Sequence, residues 1–468
     1  MFNNDKYFIW NESRFNCINK YINNSFFTNK NVLEVGCGFG DNGNNFTKLN
    51  CNVTSTDIRK NFIDIGKQKY PHINFNIFDA ENEKINKFYD IIVDYSLSNH
   101  LKNFDLHLID VCKNCNYLFL ELEVSDALYD DFIITNEEYG EDQSFYKIGS
   151  KPSENYVDRI LSENNFNFKV IKDSILNTND HKYDWCIKNT NKYNPSQNRY
   201  WICWKNNIEC PIKNEFIEEV SIILQGRINK KINLEKTISL YQNHGTVILS
   251  LYRDLEDINY INHLLKKFPN IQIVNNSYFG YINELKGKNM FRNISYLDNC
   301  YYQIKTTLIA FRKVISKYVI KSRLDHYYSS IGDFIKWGID QKKIISSSVF
   351  VRGVNYIRYH LSDHIFGGKK DEIYKIFKLA LENYTPGCPE VNIWKPYIFY
   401  LASFENINLD HLDNLSYAKW MAKKFYIYCI NRHFEYKLPY ASNIVTKLND
   451  NDKTKTDSLD YFLNGCDC

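Results

Sequence analysis

Glycine, proline and methionine are sparse in this chain, at 18, 9 and 3 residues among 468. No apolar run approaches the roughly 20 residues that a membrane-spanning helix needs, so any membrane association is expected to be peripheral. No secretory leader follows Met1-Phe2-Asn3-Asn4-Asp5, and the cysteine count is odd, at 13. Both points favour reduced thiols in a cytoplasmic setting over a disulfide framework. The lone Cys112-Lys113-Asn114-Cys115 has no second pair at zinc spacing, which weighs against a structural metal there. Lysine and arginine nearly balance the acids, 58 against 55, and form no one-sided stripe. No nucleic-acid partner is therefore expected.

What is present is the composition of an ordinary soluble protein, with 44% hydrophobic and 24% charged residues. Aromatics are abundant, with 36 Tyr and 31 Phe. The length suggests two or three domains. An α/β organisation is expected throughout, with a boundary in the polar stretch 207–215 acting as a linker between domains at 1–206 and 216–446. The polar tail 447–468 is expected to be disordered.

The most informative stretch is Val32-Leu33-Glu34-Val35-Gly36-Cys37-Gly38-Phe39-Gly40, a buried strand feeding a glycine-rich turn. Such turns let backbone N–H groups approach a nucleotide ligand where a Cβ would block it. A dinucleotide fingerprint starting at Gly36 would place its last glycine on Asp41; here the third glycine comes early, at Gly40. A second strand, 52–58, ends in Asp57, about 17 residues after that glycine and near the offset of a ribose-binding acid. A carboxylate there can accept from both ribose hydroxyls. Strands are also expected at 74–80, ending in Asp79, at 89–95, containing Asp94, and at 117–122. Segments 168–171 and 199–204 supply an antiparallel pair that closes the sheet.

Glu34-x-Gly36-x-Gly38-x-Gly40, with Asp57, Asp79 and Asp94 following in order, resembles the motif series of class I S-adenosylmethionine-dependent methyltransferases. The resemblance covers Met1 to Lys205. It implies a Rossmann-like seven-stranded sheet and S-adenosyl-L-methionine as cofactor, held by Glu34, Gly36, Cys37, Gly38, Gly40, Asp57, Ile58, Asp79, Ala80 and Asp94. Within that set Asp79 is implied to contact the adenine amino group. A Rossmann-like domain for some other nucleotide is the alternative. His100, just past the fourth strand, is a candidate general base on an acceptor hydroxyl, with a solvent-facing histidine as the bland alternative. After the fourth strand the chain reads Asp94-Tyr95-Ser96-Leu97, without the Pro-Pro-aromatic clamp of amino-methylating enzymes or the Pro-Cys of cytosine C5 chemistry. A small polar acceptor is favoured for that reason.

Beyond Glu215, strands at 220–227, 246–251 and 271–274 alternate with helix-length gaps and predict a second α/β sheet. A helix over 301–316 then leads to a strand at 318–323 and to Asp325. Ser221 to Gly226, Gln303 to Thr307, Lys321 to Asp325, Arg358 to Gly368 and the Pro389-Glu390 pair resemble WavE-like glycosyltransferases of lipopolysaccharide synthesis, over roughly Glu215 to Lys437. That resemblance implies a GT-A-like domain binding a nucleotide sugar through Gln225, Gly226, Arg227, Lys321, Arg323 and Asp325, with Asp363 as base. Asp325 is then the candidate ligand for Mn2+ or Mg2+. The chain has no D-x-D, only Arg323-Leu324-Asp325-His326, in which His326 is either a second ligand or a packed imidazole.

The expected whole is a bifunctional enzyme of glycan biosynthesis. One half methylates a sugar or other small polar acceptor, and the other transfers a glycosyl group from a nucleotide sugar to a glycan acceptor. The alternatives are a nucleic-acid methyltransferase with an accessory domain, and a methyltransferase fused to a non-catalytic glycan-binding module.

Overall fold

The computed structural model describes residues 4–125, 130, 132–137, 144–178, 183, 198–226, 228, 234–252, 258–276, 294–328, 331–347, 358–385, 388–428 and 436–437. Arg227 and the tail 447–468 lie outside the described residues. The chain divides into two compact units, Met1–Ile217 with Asp257–Pro269, and Glu218–Glu256 with Asn270–Cys468.

In the first unit the strands β1 (Asn31–Val35), β2 (Asn52–Asp57), β3 (Asn74–Ile77), β4 (Tyr89–Tyr95) and β5 (Cys115–Glu123) run parallel. The hairpin β6 (Phe132–Asn136) and β7 (Ile148–Pro152) stands apart from this sheet. Strand β9 (Asn198–Lys205) inserts antiparallel between β5 and β8 (Phe166–Val170), giving the order β3-β2-β1-β4-β5-β9-β8. The central strands are apolar on both faces, as helix-covered parallel strands must be. Ile91, Ile92 and Val93 are fully buried, and Val32 and Leu118 join them in or beside the core. Cys112 and Cys115 are part of that apolar core.

Chain order reverses between β1 and β4. At such a switch point the loops leaving neighbouring strands part, and a crevice opens at the strands' C-terminal ends. The third strand is shorter than expected. It stops at Ile77, and Phe78 turns back to donate its N–H to the Asp57 carbonyl at 3.1 Å. Residues 207–215 are fastened to the N-terminal helix Asn4–Tyr21 and its exit: Ile212 bridges Ile22, and the Lys213 ammonium donates to the carbonyls of Asn19 and Lys20 at 3.0 and 2.8 Å.

The second unit has its own seven-stranded sheet. Strands β10 (Val220–Gly226), β11 (Thr246–Tyr252), β12 (Gln272–Asn276) and β13 (Tyr318–Arg323) are parallel. A short strand β14 (Tyr327–Tyr328) leaves the sheet; β15 (Ile344–Ser347), β16 (Ile365–Lys369) and β17 (Phe425–Tyr428) complete it in the order β12-β11-β10-β13-β16-β15-β17. Only β16 runs against the others. The helix expected over 301–316 spans Ile294–Ala310 and tightens into a 3-10 turn at Phe311–Lys313. Trp394 and Ile398 of the helix Pro389–Phe404, with Phe377, Met421 and Phe425, fill the core under the sheet. Among the described residues no helix is long and apolar enough to cross a membrane.

Candidate active site

A cavity of about 320 Å³ opens at the first switch point. Its floor is the turn after β1, where three glycines adopt left-handed backbone angles for different reasons. Gly36 (φ 65°) lies under Leu97, and an added Cβ would meet the Leu97 Cβ at 2.8 Å. Gly40 (φ 85°) is covered by Phe75, 2.5 Å from where its Cβ would stand. Gly38 (φ 54°) has nothing within 4 Å of that position. It is the point at which the main chain itself faces the cavity, a cradle that a side chain would begin to fill.

Asp57, at the end of β2, clamps this turn. One carboxylate oxygen accepts the Gly38 N–H at 3.0 Å and the other accepts the Arg59 N–H at 2.8 Å. Burial pushes its carboxyl above the usual range, and the N–H groups of Arg59 and Gly38 oppose that shift. Each oxygen keeps acceptor capacity beyond these bonds.

Of the expected cofactor residues, Gly36, Cys37, Gly38, Asp57, Ile58, Asp79 and Ala80 line the cavity. Glu34, Gly40 and Asp94 do not. Glu34 lies beneath the turn, accepting from Ser55 Oγ at 2.7 Å and from the Gly43 N–H at 3.0 Å. Burial raises its carboxyl to about 8. Its part is to hold the turn against the start of the helix Asp41–Thr47. Asp94 is fully buried, accepting from Ser98 Oγ at 2.6 Å and engaging His107 Nε2 at 3.1 Å. It fixes the loop that carries Ser96, Leu97 and His100.

His100 lines the cavity, and its Nδ1 meets Glu137 Oε2 at 2.7 Å. Burial alone would raise the Glu137 carboxyl, but the bond to His100 and the Ser144 N–H hold it below the ordinary value. A histidine oriented by a carboxylate in this way has one ring nitrogen fixed and the other left for proton transfer. Asp79 shows the same balance. Burial lifts its carboxyl, and bonds from Asn82, Tyr146 and the Glu81 N–H outweigh that lift and lower it.

The N-terminal helix supplies the wall that motif reading missed. Tyr7, Trp10, Asn11 and Arg14 line the cavity at i, i+3, i+4 and i+7, one helix face. Arg14 is held from below by the fully buried Glu121, which also accepts from Tyr183. It bonds Ser96 Oγ at 2.9 Å and stacks on Trp10, 3.5 Å from the ring centroid.

Residues 32–115 match the family model described as a methyltransferase domain. The N-terminal unit contains a methyltransferase domain. This domain is similar to the putative methyltransferase 235L of Invertebrate iridescent virus 6, at 36% identity over 70 residues, or 14% of this chain. The match spans about a quarter (26%) of that relative's length. Among solved structures, the N-terminal domain of EvdMO1 with S-adenosylhomocysteine bound is 10% identical over 42% of this chain and 80% of its own, with a TM-score of 0.32. A TehB-like SAM-dependent methyltransferase of Corynebacterium glutamicum is 13% identical over 42% of this chain and 87% of its own, with a TM-score of 0.28.

In the second unit the switch point lies between β10 and β13, and Gln225, Gly226, Lys321, Arg323 and Asp325 of the expected sugar-nucleotide residues lie on or just after those two strands. Gln225 pairs in register with Arg323, and the Leu324 N–H reaches the Gln225 carbonyl at 2.8 Å. Gly226 (φ 149°) closes against Leu324. Lys321 is wholly buried, its ammonium donating to the Asp363 carbonyl, and burial lowers it to about 8. Burial would raise the Asp363 carboxyl; His364, Lys321 and Arg323 pull it well below the usual carboxylate range instead.

The expected metal ligand is already occupied. Both oxygens of Asp325 accept from Arg323, Nε at 2.9 Å and Nη2 at 2.8 Å, so its charge is neutralised by a bidentate cation. The residues at this position do not fit a divalent ion. His326 is packed, stacked on His364 at 4.6 Å and bonded through Nδ1 to the Tyr328 hydroxyl at 3.0 Å.

Proposed function

We propose that the N-terminal unit binds S-adenosyl-L-methionine and catalyses O-methylation of a small polar acceptor, with a sugar as the leading candidate. The observation that carries this reading is Gly38, a left-handed residue open to the cavity and clamped by the Asp57 carboxylate. When bound, the cofactor supplies an electrophilic methyl group on a sulfonium. The turn at Gly36–Gly38 is suited to an amino-acid tail, since it offers main chain without side-chain bulk. Asp57 is suited to a diol, and Asp79 and Ala80 to the rim of an adenine. Alignment supplies most of the acceleration of such a displacement. His100, oriented by Glu137, takes the hydroxyl proton from the acceptor, and the wall of Trp10, Arg14 and Tyr95 positions it.

For the second unit we propose glycosyl transfer from a nucleotide sugar to a glycan acceptor, with both halves acting on one glycan. Support comes from the β10/β13 switch point, where Gln225 lies in register with Arg323 and the buried Lys321 stands on the same strand, one neutral amide beside two cations. Asp363 is the base in this reading.

The test is incubation of the full chain with methyl-labelled S-adenosylmethionine and a panel of sugars, nucleotide sugars and glycans. Label transferred to a hydroxyl supports the reading. A cofactor that binds but never labels the panel refutes the sugar acceptor, and transfer to RNA or DNA would replace it.

A further inference from the structure

Apart from the cavity and the Asp325 position, the second unit brings together a set of metal-ligating side chains that no reading above uses. Cys388 caps the helix Pro389–Phe404, and Glu390 stands in its first turn. The Cys388 thiol contacts Glu390 Oε2 at 2.8 Å, and His360 Nε2 lies 3.8 Å from the same oxygen. The ligand atoms of these three residues all fall within 4.8 Å of one another. Asp363 and His364 form a second such set with the same Glu390.

Two atoms of the combined cluster make no hydrogen bond, although Asp363 Oδ1 lies 3.5 Å from His364 Nε2. His360 Nδ1 and Asp363 Oδ1 are both buried without a hydrogen bond, and the Asp363 side chain is only 3% exposed. A buried polar atom with no hydrogen bond is costly, and a thiol is a weak donor to set against a carboxylate. Hydrogen bonding within the protein therefore leaves this cluster undersatisfied. A cation among the three ligands would replace the weak thiol–carboxylate contact of Cys388 and Glu390 with thiolate and carboxylate coordination.

We propose that His360, Cys388 and Glu390 bind a divalent transition metal of the zinc class. One imidazole, one thiolate and one carboxylate are a borderline-soft donor set, which selects Zn2+ over the hard ions Mg2+ and Mn2+. Three protein ligands leave a fourth position open, the arrangement of a reactive or substrate-binding zinc in place of a closed structural one. Binding releases the Cys388 thiol proton to solvent, because only the thiolate coordinates. Asp363 and His364 then flank the site through Glu390. This assignment is independent of what the second unit transfers.

The full chain, stripped with a chelator, is titrated with Co2+ as a spectroscopic stand-in for Zn2+. The expected result is one equivalent of Co2+ with a thiolate-to-cobalt charge-transfer band, displaced stoichiometrically by Zn2+ and not by Mg2+ or Mn2+. C388S abolishes the band. E390Q and H360Q keep the thiol but weaken affinity by at least the roughly 10–100-fold that losing an outer-shell partner costs. Circular dichroism identifies any variant that fails to fold, and the remaining two then decide the matter. A band that survives in C388S, or an affinity unchanged in both E390Q and H360Q, places the metal elsewhere and overturns the assignment. So does a chain that takes up no Co2+.

Discussion

Asp57 holds the Gly38 N–H at 3.0 Å, so the carboxylate expected to grip a ribose also fixes the residue expected to face the cofactor's tail. The two ends of the proposed binding site are thereby one rigid unit. Replacing Asp57 by Asn keeps the shape but turns one acceptor oxygen into a donor facing an N–H group. D57N is expected to weaken cofactor binding by more than a single ribose contact, about 1.5–3 kcal/mol for a charge-assisted bond. Calorimetry with S-adenosylmethionine and with methylthioadenosine, which lacks the amino-acid tail, separates the contributions: both ligands should lose affinity. Unchanged affinity for both ligands would remove Asp57 from the site.

The glycines are expected to separate fold from binding. G40A drives a Cβ into Phe75 at 2.5 Å as well as straining a left-handed residue, whereas G38A meets only the backbone strain of roughly 1–2 kcal/mol. G40A should therefore lower the urea midpoint more than G38A. G38V, whose β-branch strains the left-handed backbone further, should unfold at a somewhat lower midpoint than G38A and lose the cofactor. Equal destabilisation of both alanine variants would contradict this division.

How much of this was legible from the sequence follows from where the information lies. The glycine turn, the five parallel strands and the closing antiparallel pair were legible because each is written in contiguous residues: apolar runs and, after the first of them, glycines at left-handed positions. Arg14, Trp10 and Glu137 were not, because each reaches the cavity from a distant element, with Glu137 37 residues from the His100 it orients. The i, i+3, i+4, i+7 spacing of Tyr7, Trp10, Asn11 and Arg14 was the available signal. Glu34 and Asp94 were read as ligands because a motif shows residue type and spacing and conceals burial. Asp325 was misread for the opposite reason, since its partner Arg323 stands two residues away and a single strand end cannot reveal that the pair closes on itself.

Glu34 makes stability depend on pH. Its folded carboxyl, raised by burial to about 8, lies above the ordinary glutamate value of 4.5 that the unfolded chain approaches. Between those values the folded state binds the extra proton, so stability falls as pH rises through that window. The contribution is full below about 4.5. Chemical unfolding of wild type from pH 5 to 8 should show a declining midpoint, and E34Q, with no proton to lose, should show a shallower decline. Identical slopes would contradict a protonated Glu34.

The Arg14–Glu121 pair is buried on both sides, with side chains 4% and 0% exposed. R14A leaves an unpaired buried carboxylate and should cost about 3–5 kcal/mol, whereas the double variant R14M/E121L removes both charges and should recover part of that loss. A double variant less stable than R14A, measured by urea unfolding, would contradict this.

His100 is expected to act after binding. H100A should lower methyl transfer by about 10²–10⁴-fold with cofactor affinity unchanged, and E137Q should fall between it and wild type. Single-turnover rates at saturating cofactor read this directly. An H100A rate equal to wild type would leave alignment alone as the source of catalysis.

The central claim is tested most directly by calorimetry of the purified full chain against S-adenosylmethionine, S-adenosylhomocysteine, NADH and ATP, repeated with G38V. The account predicts one equivalent of each sulfur-containing ligand, no heat from NADH or ATP, and loss of binding in G38V. Binding of NADH or ATP with indifference to S-adenosylmethionine would contradict it.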